Sequence, residues 1–263
     1  MPEITQHAPG SFCWPELQTT SSVGAKSFYT TLFGWAANDD EVSPGKYYTM
    51  LTLKGLAVGA LYELGAESAS QGTTSHWGSY ISVADIDASA ARAEELGAEI
   101  LAPPFDVMDV GRMAVVKDPV GAVFSLWQPK VHIGAHVMGE PNSLCWTELS
   151  TRDIPAAKTF YTGLFGWTTK DSPEYIEVMN QGRPIAGMMA PPQEGIPPHW
   201  LVYFAVSDCD ASVTKASGLG AITVVPAMDI PNVGRFSVLK DPQGAVFAII
   251  QLLPRAGEEK TGP

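Results

Sequence analysis

Two glutamates, two histidines and two tyrosines recur at matched places in this chain, and their side chains are those of proton-transfer chemistry. Glu16 lies in CWPEL, Cys13 to Leu17, and Glu148 in CWTEL, Cys145 to Leu149. His76 and His199 each open an HW pair, and Tyr80 and Tyr203 follow four residues later. A carboxyl whose pKa rises on burial can act as a general base, an imidazole as its acid partner and a phenol as a hydrogen-bond donor. His76 and Tyr80 are an even number of residues apart, so one strand would set them on a common face.

Each of these residues also has a purely structural alternative. The histidines can be strand-entry imidazoles bonded to a loop carbonyl. The glutamates can pair with backbone or arginine at a sheet edge. The tyrosines can be wall or core. Arg112 and Arg235 each follow a glycine at a strand start, and either clamp a carboxylate or stand exposed. Trp14, Trp77, Trp146 and Trp200 are packing or stacking surfaces. No role falls to His132 or His136.

The positioning elements come from an internal repeat. CWPEL and FYTTLFGW (Phe28 to Trp35) match CWTEL and FYTGLFGW (Phe160 to Trp167) at an offset of 132. The HW pairs, VADIDAS with VSDCDAS, and VGRMAVVKDPVGAVF with VGRFSVLKDPQGAVF match at an offset of 123. Motif order is unchanged and the first copy carries nine more residues between Trp35 and His76, so the chain is two copies of one domain. The expected division is a first domain at 10–130, a linker at 131–142, a second domain at 143–254 and a fraying tail at 255–263.

In the first copy, Phe12 to Thr19 reads as a strand. Ser21 or Ser22 caps a helix whose Ala25, Phe28, Tyr29, Leu32 and Phe33 share a face before Gly34. Asp153 and Pro155 start the corresponding helix of the second copy. Strands follow at Tyr47 to Leu53 and Leu56 to Tyr62, with counterparts at Ile176 to Asn180 and Pro184 to Ala190. A strand at Ser79 to Val83, a helix at Ala88 to Leu96, and strands at Arg112 to Val116 and Ala122 to Gln128 complete the first copy. Asp118-Pro119-Val120-Gly121 and Asp241-Pro242-Gln243-Gly244 read as type I turns. Each copy is therefore two βαβββ modules, an α+β architecture with four modules in the chain.

Composition fits two globular domains: 263 residues, 45% hydrophobic and 17% charged. A formal charge of −12 argues against nucleic acid and anionic membrane surfaces as partners. MPEITQHAPG lacks the basic and apolar regions of a signal peptide, and no run is long enough to span a bilayer, so the expected compartment is the cytoplasm. Three cysteines without a CxxC fit reduced thiols.

FYTxLFGW on the first helix and KDPxGAVF at the last hairpin, each present twice, resemble the glyoxalase/bleomycin resistance/extradiol dioxygenase family, the vicinal oxygen chelate superfamily. The resemblance implies curved mixed sheets around a cleft, with metal ligands, usually His or Gln with Glu, on the first and last strands of paired modules. The matching positions here are Trp14, Ala60, Gly78 and Ser125, and Trp146, Met188, Leu201 and Ala248. Only Ser125 carries even a weak ligand atom, whereas such a metal takes three or four N/O ligands, so no metal and no cofactor is expected. Sliding the first strands by two residues would recruit Glu16 with His76, or Glu148 with His199, but nothing comparable on the last strands.

Set in such a cleft, Glu16, Glu148, His76 and His199 are the candidate catalytic residues. Trp14, Tyr80, Arg112, Trp146, Tyr203 and Arg235 are the candidate ligand-binding ones. The expected function is metal-independent sequestration or conversion of a hydrophobic or aromatic small molecule. A glyoxalase-type lyase or extradiol-type dioxygenase, and a scaffold with filled cavities, are the alternatives. Four modules let a monomer supply the pairing, and a homodimer stays open.

Overall fold

The computed structural model describes residues 3–65 and 72–254; the expected tail at 255–263 lies outside them. The first module runs β1 (Phe12–Thr19), α1 (Ser22–Phe33), β2 (Ala36–Ser43), β3 (Lys46–Leu53) and β4 (Leu56–Glu63). The second runs β5 (His76–Ser82), α2 (Ile86–Glu95), β6 (Glu99–Val107), β7 (Gly111–Lys117) and β8 (Val123–Pro129). The other half repeats this as β9 (Leu144–Ser150), α3 (Ile154–Phe165), β10 (Thr168–Asp171), β11 (Ile176–Asn180) and β12 (Arg183–Met189). It continues with β13 (His199–Ala205), α4 (Cys209–Gly218), β14 (Ile222–Ile230), β15 (Gly234–Lys240) and β16 (Val246–Leu252). The Ser21 hydroxyl caps α1 through Gly24 N, and the Asp153 carboxylate caps α3 through Ala156 N, as expected of these residue types.

Module pairing, open in the sequence, is internal to each half. One eight-stranded sheet has the order β2-β3-β4-β1-β5-β8-β7-β6, and the other repeats it as β10-β11-β12-β9-β13-β16-β15-β14. The first strands of the two modules meet antiparallel at the centre, β1 on β5 and β9 on β13. Each sheet carries helices on one face only, and the helices interlock the halves. One core joins Phe28, Tyr29 and Leu32 of α1 to Phe204, Ala216 and Phe247 of the second half. The reciprocal core joins Ile86 and Ala93 of α2 and Phe124 of β8 to Phe160, Tyr161 and Trp167. Each buried large apolar side chain contributes about 1.5–3 kcal/mol, so the shared cores hold the two halves together.

The KDPxG turns do more than reverse the chain. Asp118 Oδ1 accepts from Val120 N and Ala122 N, while Oδ2 accepts from the Tyr161 hydroxyl of the other half at 2.8 Å. Asp241 does the same for Gln243 N, Ala245 N and, at 2.9 Å, Tyr29. Trp77 and Trp200 face this side too, each donating its indole N–H to the same tyrosine oxygen. They are packing residues of the seams.

Candidate functional site

The helix-free face of each sheet holds the expected carboxylate. Register sets the neighbours: Trp14 lies opposite Tyr80, Glu16 opposite Gly78 and Gln18 opposite His76. In the second sheet Trp146 lies opposite Tyr203, Glu148 opposite Leu201 and Ser150 opposite His199. Directly opposed residues share a face, so Trp, Glu and Tyr converge in both copies, away from the helices.

In the first site the Tyr80 hydroxyl donates to Glu16 Oε1 at 2.6 Å and the Tyr48 hydroxyl to Oε2 at 2.7 Å, while Trp14 Nε1 donates to Tyr48 at 3.2 Å. In the second, Tyr203 donates to Glu148 Oε1 at 2.9 Å, Tyr175 also bonds Glu148, and Trp146 Nε1 donates to Tyr175 at 2.9 Å. Tyr48 and Tyr175 complete the unit and were missed in the sequence. Tyr48 stands on β3 and Tyr175 immediately before β11; their recurrence in matched segments was the available signal.

Burial pushes both carboxyls above the usual range, opposed by the tyrosine bonds. The tyrosines rise in turn, from burial first and then from the facing carboxylate. Each site is therefore a buried carboxyl poised to keep or regain a proton, clamped by two phenols that stay protonated.

The remaining expected residues lie apart from this unit. His76 Nδ1 bonds the Thr74 carbonyl at 2.8 Å and His199 Nδ1 the Pro197 carbonyl at 2.9 Å, with no hydrogen bond to Glu16 or Glu148 among the described residues. Arg112 forks onto Asp87 in the first turn of α2, and Arg235 onto Asp210 in the first turn of α4 and onto Asp229. Both guanidinium groups thus tie helix starts to strands rather than reaching the glutamates. One placement needs correction. Gly187, not Met188, lies beside Glu148 as Ala60 lies beside Glu16, and Met188 faces the helices. A one-residue step along a strand changes its face. Gly187 is required there, because a Cβ would fall 1.9 Å from the Tyr175 hydroxyl.

Two open grooves of about 340 and 370 Å³ lie at the seam of α2 with α3, the first lined by Val83, Arg92 and Phe165, the second by Leu96, Pro119 and Phe160. Neither contains a residue of the carboxyl–phenol units.

Paired βαβββ modules, duplicated, with a polar cluster on the helix-free face of each sheet, define a tandem two-domain architecture of paired modules. The chain belongs to the Glyoxalase/Bleomycin resistance protein/Dioxygenase superfamily, whose profile matches residues 16–126 and 141–249. It is 40% identical over 261 residues to CFP32 of Mycobacterium tuberculosis (strain CDC 1551 / Oshkosh), a protein with glyoxylase in its name, covering 97% of this chain and 100% of that one. It is 36% identical to the anthracycline biosynthesis protein DnrV of Streptomyces peucetius, covering 95% and 96%. Among solved structures, the Mn(II)-bound glyoxalase from Novosphingobium aromaticivorans shares the fold with a TM-score of 0.67 at 14% identity, covering 94% of this chain and 83% of that one.

The donor set does not fit a metal of that kind. Around Glu16 the neighbouring strand positions are Trp14, Ala60, Gly78 and Ser125, and around Glu148 they are Trp146, Gly187, Leu201 and Ala248. One carboxylate per site, already holding two phenols, falls short of three or four ligands. No cluster of three or more His, Cys, Asp or Glu suited to a metal occurs among the described residues. No described helix is long and apolar enough to cross a membrane.

Proposed function

We propose that the chain is a metal-independent small-molecule protein that takes up a planar aromatic compound against its site tryptophans and exchanges a proton with it through the glutamate. The observation that carries this is the carboxyl–phenol–phenol–indole unit, built twice on the helix-free faces. An aromatic shelf favours a flat ring. A desolvated carboxyl beside it accepts a proton from a ring hydroxyl or returns one to a ring carbonyl, with the tyrosine hydroxyls holding its orientation. The name of DnrV, an anthracycline biosynthesis protein, supports an aromatic ligand and a tailoring or resistance role. Because both modules of each sheet come from one half, a monomer completes both sites. Three free cysteines suit work in the cytoplasm.

The test is a titration of tryptophan fluorescence with 1,8-dihydroxyanthraquinone, before and after chelator treatment, with metal content measured in parallel. Binding unchanged by chelation, and weakened about tenfold or more when Glu16→Gln and Glu148→Gln are combined, is expected. Stoichiometric metal whose removal abolishes binding would overturn the reading in favour of a metal-dependent lyase or dioxygenase.

A further inference from the structure

The two sites differ in what lies on the tryptophan. In the first half the segment after β8 does not leave the domain but folds back over the helix-free face. Lys130 N and His132 N both donate to Val110 O, Ala135 N donates to Cys13 O at 2.8 Å, and His136 N donates to Ala57 O at 2.8 Å. Ile4 N closes on His136 O, and His7 Nε2 bonds the Ala135 carbonyl. Gly134 permits the approach: its φ is +109°, and a Cβ would stand 2.4 Å from the Cys13 carbonyl oxygen.

This strap delivers the His132 ring to Trp14, edge-on with centroids 4.6 Å apart, and to Trp127 at 5.7 Å. Its Nε2 is buried without a hydrogen-bond partner, an arrangement that calls for a physical reason. Burial holds the imidazole neutral, its pKa lowered to about 4. An uncharged heteroaromatic ring thus abuts the indole edge-on.

The second site is arranged otherwise. Trp146 and Cys145 are half-buried where Trp14 and Cys13 are buried, and Ile250 stands in the register of Trp127. Glu177 occupies the register of Met50, half-buried and 3.8 Å from the Lys170 ammonium, so it adds a hydrogen-bond acceptor near Tyr175. In the first site Gly78 leaves the Glu16 side open where Leu201 covers Glu148, but the shelf beyond Glu16 is taken.

We propose that the first site is self-occupied, with His132 standing in for a ligand ring on Trp14, and that the second, Trp146 with Glu148, Tyr175, Tyr203 and Glu177, is the one that binds a planar hydroxylated aromatic compound. This rests on the aromatic-ligand reading above and adds which half carries it and why. A ring hydroxyl directed to Glu148 or Glu177 distinguishes this ligand from a plain hydrocarbon of the same shape.

Calorimetric titration of the full chain with 1,8-dihydroxyanthraquinone tests it. The wild type takes one equivalent, Trp146→Ala loses binding about tenfold or more, and His132→Ala gains a second equivalent. His132→Phe, which refills the shelf, stays at one, and Trp146→Leu serves if the alanine variant fails to fold. Two equivalents in the wild type, or a loss caused by Trp14→Ala and not by the Trp146 variants, overturns the assignment while leaving the aromatic-ligand reading intact. No binding by wild type or His132→Ala overturns both.

Discussion

The halves match where their helices meet and diverge where their sheets are bare. At one seam Trp77 Nε1, the Tyr29 hydroxyl and Asp241 Oδ2 are linked at 2.9 and 2.9 Å; at the other Trp200, Tyr161 and Asp118 are linked at 2.8 and 2.8 Å. On the helix-free faces the glutamate, its two tyrosines, the indole and the adjoining cysteine are retained. Around them Gly78 faces Leu201's place, Met50 that of Glu177, and Trp127 that of Ile250. A seam is built from both halves at once, so a change on one side orphans a partner on the other. A bare face has no such reciprocal constraint, and two copies can drift into different uses.

The largest expected effect tests the equality of the seams. Tyr29→Ala and Tyr161→Ala should each cost about 3–5 kcal/mol, the range for removing a buried aromatic. Tyr29→Phe and Tyr161→Phe should cost about 1–3 kcal/mol by leaving Asp241 or Asp118 and a tryptophan N–H unpaired. Urea unfolding measures both. If one seam tolerates its phenylalanine variant and the other does not, the symmetry argued here is only geometric.

A smaller effect separates the faces. Gly134→Ala forces a left-handed φ on alanine and meets the Cys13 carbonyl, costing about 1–3 kcal/mol while lifting the strap. Acrylamide quenching should then reach Trp14, with Trp146 unchanged; single-tryptophan backgrounds resolve the two. Protection of Trp14 retained in Gly134→Ala would mean that the shelf is closed by something other than the strap.

Much of the fold was legible because the repeat states it twice. The helix caps at Ser21 and Asp153, the strands around Leu51 and Leu61 and the KDPxG turns follow from local pattern. The outer strands β6 and β14 did not show themselves, because Pro103, Pro104 and Pro226 interrupt them and bulges break their register with β7 and β15. Glu16, Glu148, Tyr80 and Tyr203 were visible as recurring residues on alternating positions. Their bonding partners Tyr48 and Tyr175 were not, since strand pairing across a sheet is long-range. His132 was least legible of all. Its segment has no period, and its place on Trp14 depends on backbone bonds to β1, to β4 and to the turn before β7, which local pattern does not encode.

The smallest effect is in the pH dependence, where the first half should carry a component of opposite sign. Glu16 and Glu148 are held above the ordinary glutamate value by burial, so the folded chain keeps protons that the unfolded chain releases. Stability then falls as pH rises from about 4.5 toward the folded value, by up to one proton per site. Glu148→Gln, facing Tyr175 and Tyr203, and Glu16→Gln, facing Tyr48, Tyr62 and Tyr80, should each remove a slope of that sign. Asp118 and Asp241, raised in the same direction, cancel in each comparison with wild type. His132 acts the other way. Its pKa is lowered to about 4 from 6.5, by burial first and then by His136 and His7, so the unfolded chain takes up the proton first and stability rises with pH across that interval. Only the first half carries this opposing component within the described residues. His132→Phe should therefore steepen the fall with pH left by Glu16 and Glu148, and stability curves from pH 4 to 7 that are unchanged by it would mean the ring is not buried against Trp14 in solution.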